Sequence, residues 1–301
     1  MKLSICCITY NQEKYIAQTL DGMLCQKTNF DFEILIGEDH STDNTSNIIL
    51  TYQQKYPDRI TLLPLNKNIG VRKNFAKTLL AATGEYVAIC EGDDYWTDTL
   101  KLQKQVDYLD ANSDTDICFH NTQIYYENTG KMEQSNNANQ PIVTNIKDLI
   151  ANWYIMTCSI VYRRNFAILP DWFTSVFNTD YALQMLITAK GSKIAYLKDE
   201  MAVYRKHSEG ESAKVWGDDS YYWLLFMFDK LNVTTNKKYE LEINARKIEI
   251  INTLAFFYDN KVSETKNISK KIKFFCRYFF MKINMPLYYY NKFLKRKNIS
   301  L

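Results

Sequence analysis

The stretch Ile89-Cys90-Glu91-Gly92-Asp93-Asp94-Tyr95-Trp96 decides the fold assignment, because a run of apolar residues gives way there to adjacent carboxylates. In open α/β sheets, ligands bind outside the carboxyl ends of the strands. Two carboxylates at such a strand end are costly unless a cation or hydrogen-bond donors compensate them. We therefore expect Asp93 and Asp94 to hold a divalent cation against a diphosphate. The alternative is that Asp94 or Asp98 simply caps the following helix.

Predicted strands and helices alternate on both sides of this stretch. The apolar patterns predict strands over residues 3–10, 32–37, 60–65 and 86–90, and helices over residues 13–26, 44–56, 71–82 and 100–109. This order is typical of βαβ units, so we expect an α/β fold with a doubly wound, mostly parallel sheet. The glycines form neither G-x-G-x-x-G nor a P-loop pattern. Dinucleotide-binding Rossmann enzymes and P-loop NTPases are therefore disfavoured.

Length and composition indicate a globular protein. The 301 residues, 46% of them apolar, are enough for one large domain or for a core domain with an appended lobe. Seven cysteines occur without a C-x-x-C pair, so we expect the reduced thiols of a cytoplasmic protein rather than disulfides or a zinc site. We also expect neither a signal peptide nor a membrane span, since no apolar run approaches roughly 20 residues.

The second half of the chain carries a less regular pattern. Further strands are predicted over residues 116–126, 156–163 and 202–207, and helices over residues 146–153, from about 179, and over 218–231, 238–260 and 266–283. The polar segment 127–140 marks an internal boundary. We expect one domain over residues 1–215, divided at about residue 115, and a C-terminal helical region over residues 216–301.

The end of the chain is strongly basic. Residues 261–301 carry eleven Lys or Arg and one acidic residue, Glu264, so the preceding 260 residues are net acidic. Within residues 266–283, basic side chains interleave with an apolar, aromatic helix face, which is typical of an anchor at an anionic membrane surface. Packing of this helix on the acidic body is the alternative. No nucleic-acid-binding module is recognisable, so nucleic acid is not an expected partner.

Four short motifs connect the chain with a known family. Thr9-Tyr10-Asn11 and Glu38-Asp39-His40-Ser41-Thr42-Asp43 follow the first two strands, Asn68-Ile69-Gly70 precedes the third helix, and Glu91-Gly92-Asp93-Asp94 follows the fourth strand. Each motif alone is a weak signal. Together and in this order they resemble the inverting GT-A glycosyltransferases of family 2, with further elements to about residue 215. His40 stands where family members often have Gly or Asn, which could alter the nucleotide loop.

The resemblance implies a nucleotide-sugar site at these strand ends, most often for a UDP-sugar. The residues implied in donor binding are Thr9, Tyr10, Asn11, Glu13, Asp39, Asn68, Gly70, Arg72, Asp93 and Arg205. In the family pattern Asp39 bonds the base, Asp93 faces the ribose or sugar, and Asp94 binds Mn²⁺ or Mg²⁺ with His207 nearby. Simpler local roles also remain open, namely strand-end packing for residues 9–11, caps or turns for Asp39 and Asp43, and a solvated helix position for Arg72.

A further acidic residue, Asp180, lies at the start of the helix predicted from about residue 179. An N-cap or a first-turn anion that favours the helix dipole is the simple explanation. The resemblance implies instead the general base of the transfer, which accepts the proton of the acceptor hydroxyl as that hydroxyl attacks the anomeric carbon. One carboxylate could serve both purposes.

The element Tyr204-Arg205-Lys206-His207 ends the strand predicted over residues 202–207. A lone histidine is more often structural. However, Tyr-Arg-x-His at this distance after the acidic residue resembles a recurrent element of the family. The resemblance implies that Arg205 and His207 stabilise the charge of the leaving group, and that residues 208–217 form a mobile lid.

The resemblance, together with these patterns, implies a metal-dependent, inverting glycosyltransferase. It would move a hexose or N-acetylhexosamine to a saccharide or lipid-linked saccharide hydroxyl in surface polysaccharide synthesis, from the cytoplasmic face of the membrane. Single transfers are expected, because the Q-x-x-R-W motif of processive synthases is absent. A sugar-phosphate nucleotidyltransferase is one rival, although Thr9-Tyr10-Asn11 replaces its Gly-rich loop. The other rival is a catalytically inactive nucleotide-sugar-binding module, which the retained Asp93, Asp94 and Asp180 disfavour.

Overall fold

The computed structural model describes residues 1–136, 139–165, 168–211 and 218–264. Within these residues the chain forms a ten-stranded sheet and eight α-helices. The strands are β1 Leu3–Thr9, β2 Phe32–Glu38, β3 Ile60–Leu62, β4 Tyr86–Ile89, β5 Tyr95–Trp96, β6 Thr115–Tyr126, β7 Lys131–Gln134, β8 Val143–Asn145, β9 Val161–Arg163 and β10 Lys193–Lys206. The helices are α1 Ile16–Leu24, α2 Thr45–Lys55, α3 Val71–Ala81, α4 Lys101–Ala111, α5 Ile146–Ala151, α6 Thr179–Thr188, α7 Asp218–Thr234 and α8 Glu240–Glu264. Two 3₁₀ turns cover Thr157–Ser159 and Phe173–Ser175.

The strands follow the order β3-β2-β1-β4-β9-β6-β10-β5, with β7 paired to β6 and β8 paired to β10. β1 pairs in parallel with β2 and β4, and β2 pairs in parallel with β3. The carboxyl ends of these four strands therefore meet at one edge of the sheet. Antiparallel pairing begins at β9, which runs between β4 and β6, while β10 is parallel to β6. The predicted α/β fold with a parallel nucleotide-binding half is confirmed.

The central strand β1 explains why the sequence shows a continuous apolar run rather than alternation. All seven of its residues are buried. Leu3, Ile5 and Cys7 belong to a core that also includes residues of α1 and α4. On the other side of the sheet, the Cys6 thiol donates a hydrogen bond to the carbonyl oxygen of Thr78 in α3, at 3.6 Å. Helices thus cover both faces of the sheet, which is the arrangement that parallel strands require.

Three elements differ from the sequence-based expectation. β10 begins at Lys193, well before residue 202, because register shifts between Leu197 and Ala202 break the alternation that would reveal a strand. The segment predicted as a strand over 156–163 forms a 3₁₀ turn and then the short β9. β5 has two residues and pairs with β10, and so short an element gives no periodic signal.

The chain divides into two compact units. Residues 1–174 and 179–210 form one unit, and residues 175–178 with the described residues from 211 onward form the other. In the second unit α7 and α8 pack against each other. The domain boundary expected near residue 215 stays a prediction, and the helix predicted over residues 266–283 lies outside the described residues. In the described part of the chain, no helix is long and apolar enough to cross a membrane.

Candidate active site

The loops after β1 and β2 are tied together by side chains of the first motif. Asn11, in a left-handed conformation with φ of 53°, accepts a hydrogen bond at Oδ1 from the Thr42 backbone N–H at 2.8 Å. Glu13 accepts one at Oε2 from the Asn44 backbone N–H, also at 2.8 Å. Tyr10, in contrast, exposes 44% of its surface. Asn11 and Glu13 therefore shape the paired loops, whereas Tyr10 presents its ring to solvent.

Asp39 fixes the turn that precedes α3. Its Oδ1 accepts from the Ile69 N–H at 2.7 Å and its Oδ2 from the Gly70 N–H at 2.8 Å. Asn68 Nδ2 donates in return to the Asp39 carbonyl oxygen at 2.9 Å. Gly70 has φ of +85°, which residues with a side chain rarely adopt. The second and third motifs are thus one hydrogen-bonded unit, with Arg72 half-buried in the first turn of the helix that follows.

The carboxylate motif, Glu91-Gly92-Asp93-Asp94, follows β4 and lies directly against the end of β1. The Gly92 N–H donates to the Ile8 carbonyl oxygen at 2.9 Å, and Thr9 Oγ1 donates to Gln12 Oε1 at 2.7 Å. A Cβ at Gly92 would lie 2.4 Å from Gln12 Oε1 and 2.7 Å from Thr9 Cβ, so this close approach requires glycine. Thr9 is 3% exposed and supports the motif from inside the protein.

Asp94, the last residue of this motif, is buried. It is 1% exposed, and its Oδ1 accepts from the backbone N–H of Arg205 at 2.8 Å. Its Oδ2 accepts no hydrogen bond of ordinary geometry from the described residues. Burial and the nearby charge of Asp93 raise the pKa of Asp94 well above its usual value, opposed by the Arg205 N–H and the Cys158 thiol. Asp94 therefore joins the loop after β4 to β10. Neither Asp94 nor Asp98 is the N-cap of α4, which is Leu100, although Asp98 Oδ1 accepts from the Leu100 N–H at 2.8 Å.

Asp93 and His207 form the polar pair at this edge of the sheet. Asp93 Oδ2 lies 2.9 Å from His207 Nε2, and their side chains are 14% and 3% exposed. The His207 ring lies 4.8 Å from the Tyr15 ring, centroid to centroid. No group of three or more His, Cys, Asp or Glu side chains placed to hold a metal occurs among the described residues. The carboxylate of Asp93 fits an ion that completes its shell with water and phosphate oxygens, as Mg²⁺ usually does, whereas the imidazole of His207 is a more typical ligand of transition-metal ions.

Arg205 braces the backbone of the carboxylate motif. Its guanidinium carbon lies 4.5 Å from the centroid of the Tyr15 ring and 5.1 Å from that of Tyr95. Nη1 donates to the Asp93 carbonyl oxygen at 2.5 Å, and Nη2 donates to Gln18 Oε1 at 2.7 Å. Arg205 is 8% exposed. In the described structure Arg205 therefore holds the backbone at Asp93 and the side chain of Gln18, and these two contacts use two of its five N–H donors.

Asp180 lies in the first turn of α6 and is linked to the carboxylate motif through the Thr157–Ser159 turn. Its Oδ2 accepts from Thr157 Oγ1 at 2.9 Å. The next residue, Cys158, lies beside Asp94 and accepts from Trp96 Nε1 at its carbonyl oxygen, at 2.9 Å. Burial raises the pKa of Asp180, although hydrogen bonds from Thr157 and from the backbone at the helix start oppose this. The net effect is a carboxyl group whose pKa lies above its ordinary value.

Several residues that join these segments give no signal in the sequence. Thr157 bonds Asp180, Tyr15 contacts both Arg205 and His207, and their partners are far along the chain. One spatial relation could be predicted from the sequence, because side chains alternate between the two faces along a strand. Arg205 and His207 are two residues apart at the end of β10 and therefore share a face, which is the face turned toward the carboxylate motif.

A buried lysine lies behind the site. Lys101 is fully buried, with Nζ 2.8 Å from Gln105 Oε1 and 4.2 Å from the centroid of the Trp96 ring. Gln105 Nε2 donates in turn to the carbonyl oxygens of Cys118 and Ser159, at 2.7 and 2.8 Å. Burial lowers the pKa of Lys101 to about 8. Lys101 thus bonds Gln105, and Gln105 holds the Thr157–Ser159 turn. Burial makes the charged form of the lysine costly.

Lys101→Met is expected to change how stability depends on pH. The pKa of Lys101 is lower in the folded than in the unfolded chain, so the unfolded chain binds more protons between about pH 8 and pH 10.5. The free energy by which the buried lysine destabilises the folded chain therefore becomes smaller as pH rises. The free energy of unfolding of wild type minus that of the variant should rise by about 2 kcal/mol from pH 7 to pH 10. Urea unfolding of both proteins at the two pH values measures this difference. A difference that does not change with pH would show that the lysine is not buried as described.

The relatives of this chain agree with the geometry. The sequence profile of glycosyl transferase family 2 matches residues 4–173, more than half of the chain. An uncharacterized protein of Mycobacterium tuberculosis is 42% identical over 221 residues, which make up 73% of this chain and 63% of that protein. The chain therefore spans less than two thirds of the length of that relative.

Solved glycosyltransferase structures share the fold. Staphylococcus aureus TarS in complex with UDP-GlcNAc has a TM-score of 0.63 and 19% identity, covering 93% of this chain and 81% of that chain. Mannosyltransferase PcManGT from Pyrobaculum calidifontis, in complex with GDP-Man and Mn²⁺, has a TM-score of 0.62 and 16% identity, covering 99% of this chain and 86% of that chain. The expected GT-A fold is thereby confirmed. With the profile matched across the strands that carry all four motifs, the chain belongs to glycosyl transferase family 2.

Proposed function

We propose that this chain is a metal-dependent, inverting glycosyltransferase. It moves a hexose or N-acetylhexosamine from a nucleotide diphosphate sugar, most naturally a UDP-sugar, to a hydroxyl of a saccharide or lipid-linked saccharide. The observation that carries the proposal is the Asp93–His207 pair, 2.9 Å apart at the carboxyl ends of β4 and β10. Ligands bind at this edge in open α/β sheets.

The geometry favours Asp93 over Asp94 as the metal ligand, which revises the expectation from the sequence. Asp94 is buried, and one of its oxygens is bonded to the backbone of Arg205. Asp93 keeps part of its surface and faces the imidazole of His207. In this proposal Asp93 and His207 hold Mn²⁺ or Mg²⁺, while Asp94 and Arg205 position them from behind. The ion, when bound, supplies positive charge next to the departing diphosphate.

The donor would lie over the paired loops after β1 and β2. Tyr10 offers an exposed ring there, and Asn11 and Glu13 fix the backbone around it. Asp39 is the proposed partner of the base, and it would share its lone pairs with the turn at residues 68–70 that it already holds. A carboxylate has about four acceptor sites, so both tasks are compatible. Arg72, in the first turn of α3, remains a proposed contact of the nucleotide.

Asp180 would serve as the general base. The acceptor hydroxyl oxygen forms a bond to the anomeric carbon on the face opposite the diphosphate, and its proton passes to the Asp180 carboxylate. The bond between the anomeric carbon and the phosphate oxygen breaks, and its electron pair leaves with the nucleoside diphosphate. This geometry inverts the anomeric centre. The raised pKa of Asp180 suits a group that must take up a proton.

The acceptor class is proposed from the charge distribution of the chain. Eleven basic residues and one acidic residue lie within residues 261–301, and such a segment is attracted to the anionic cytoplasmic leaflet. This favours a lipid-linked saccharide and a cytoplasmic enzyme at the membrane face. The basic helix predicted over 266–283 and most of the lid predicted over 208–217 lie outside the described residues, so both remain predictions.

Slow donor hydrolysis tests the proposed function without knowledge of the acceptor. The full chain is incubated with UDP-glucose, UDP-galactose, UDP-GlcNAc, GDP-mannose and dTDP-rhamnose, with Mn²⁺ or with EDTA, and release of the nucleoside diphosphate is measured. We expect release from at least one donor, and we expect EDTA to abolish it. Pyrophosphate release from UTP and a sugar 1-phosphate would support the nucleotidyltransferase instead. Tight donor binding without any release, with or without added saccharides, would support an inactive binding module.

A further inference from the structure

Trp153 is an exposed aromatic residue that the fold holds rigidly. It follows α5 by two residues, and 44% of its surface is exposed. Its ring stacks on the Tyr181 ring with centroids 5.1 Å apart and an interplanar angle of 11°. Tyr181 is itself 2% exposed, and its hydroxyl donates to the Leu149 carbonyl oxygen at 2.5 Å. One face of the indole is therefore fixed against a buried, hydrogen-bonded ring, which leaves the opposite face and edges toward solvent.

The position of this ring relates it directly to the proposed base. Tyr181 is the residue after Asp180 in α6. Thr157, four residues after Trp153, donates to Asp180 Oδ2 at 2.9 Å. The indole and the carboxylate are therefore connected by two short routes, through the ring of Tyr181 next to Asp180 in α6 and through the backbone from Trp153 to Thr157.

The chemistry of an open indole face suits a sugar ring. The face of an aromatic ring is electron-rich, and one side of a pyranose presents weakly polarised C–H groups that are attracted to it. Covering the exposed ring also removes apolar surface from water. The indole N–H of Trp153 donates to no group in the described part of the chain, so it could donate to a sugar hydroxyl.

We propose that Trp153 is the platform on which the acceptor saccharide stacks, so that a hydroxyl of its terminal pyranose faces Asp180. This inference rests on the transfer reaction proposed above and adds the place where the acceptor binds. Rigidity matters here, because a platform that is already ordered loses little conformational entropy on binding. The acceptor is identified only as a pyranoside with one ring face free of bulky substituents.

Saturation-transfer NMR on the full chain tests the platform. The probes are methyl β-D-glucopyranoside, methyl β-D-galactopyranoside, methyl N-acetyl-β-D-glucosaminide and methyl α-L-rhamnopyranoside. We expect ring protons of at least one probe to receive saturation from the wild type, with affinity about tenfold weaker in Trp153→Ala. Trp153→Phe should recover part of the affinity. The matched control is Phe256→Ala in α8, which removes another exposed aromatic, 66% exposed, and should change nothing.

Release of nucleoside diphosphate by donor hydrolysis is measured in the same variants. Release at the wild-type rate in Trp153→Ala would place the defect on the acceptor side, as proposed. The proposal is overturned if no probe receives saturation from the wild type, if Trp153→Ala binds as well as the wild type, or if Trp153→Ala loses donor hydrolysis as well. A wild-type protein that releases no nucleoside diphosphate would refute the transfer reaction instead, and the glycoside titrations would still decide whether Trp153 binds saccharides.

Discussion

Asp180→Asn is expected to lower kcat for sugar transfer by about 10³-fold, because the amide cannot accept the proton of the attacking hydroxyl. The amide is nearly the same size and keeps an oxygen that can accept from Thr157 Oγ1, the contact seen at 2.9 Å. Donor binding in the presence of Mn²⁺ should therefore remain as in the wild type. Single-turnover transfer and calorimetric donor titration, run on the same preparation, separate the two quantities. Full transfer activity in this variant would mean that Asp180 only stabilises the first turn of α6.

Thr157→Val is the matched control for this assignment. The threonine hydroxyl lowers the pKa of Asp180, against the larger effect of burial, which raises it. In the proposed reaction the base acts as a carboxylate, so kcat should fall as pH drops through its pKa. Removing the hydroxyl should move that fall to higher pH, and the rate well above the pKa should change little. An unshifted pH profile would indicate that a different group limits the rate in acid.

Asp93→Asn is expected to lower both donor hydrolysis and transfer by about 10²- to 10³-fold, because in the proposed site this carboxylate would bind the cation that stabilises the departing diphosphate. The substitution keeps the shape of the side chain and leaves the contact between the Asp93 carbonyl oxygen and Arg205 Nη1 in place. Steady-state rates at saturating donor and Mn²⁺ measure the effect. His207→Gln should act in the same direction.

Asp94→Asn distinguishes Asp93 from Asp94 as the proposed metal ligand. Because burial already raises the pKa of Asp94 well above its usual value, a neutral amide resembles the form that burial favours. Its Oδ1 can still accept from the Arg205 N–H. We expect Asp94→Asn to retain metal-dependent donor hydrolysis. Loss of hydrolysis in this variant, with Asp93→Asn fully active, would restore the assignment expected from the sequence.

The parallel half of the fold was accessible from sequence because each of its elements carries a complete local signal. β1, β2 and β4 are short apolar runs that end in polar residues, and α2 and α3 follow with helical spacing. Only the second half of β10 could be predicted from the sequence. Its first half is separated from its second by register shifts between Leu197 and Ala202, and its pairing with β6 on both sides of them, rather than a local pattern, makes it one strand.

The sequence predicts which residues form the site better than it predicts the directions in which their side chains point. The sequence places Asp93 and Asp94 together, but it does not show which carboxylate points inward. That choice depends on the Arg205 N–H, 111 residues away in the chain, which bonds Asp94 at 2.8 Å. Similarly, Arg205 appears as a charged residue free to meet a ligand, whereas two tyrosine rings and the Asp93 carbonyl oxygen enclose it in the fold. Long-range contacts of this kind have no local pattern.

In the proposed reaction Asp93 and His207 would hold a divalent cation against the diphosphate of the donor. UDP titrations with and without Mn²⁺ test this arrangement most directly. Calorimetry should show that Mn²⁺ raises the affinity of the wild type for UDP, and that UDP raises the affinity for Mn²⁺ by the same factor, as linkage requires. In Asp93→Asn and His207→Gln the affinity for UDP should no longer respond to Mn²⁺. The account is contradicted if wild-type UDP binding is indifferent to divalent cations, or if both variants keep the full response.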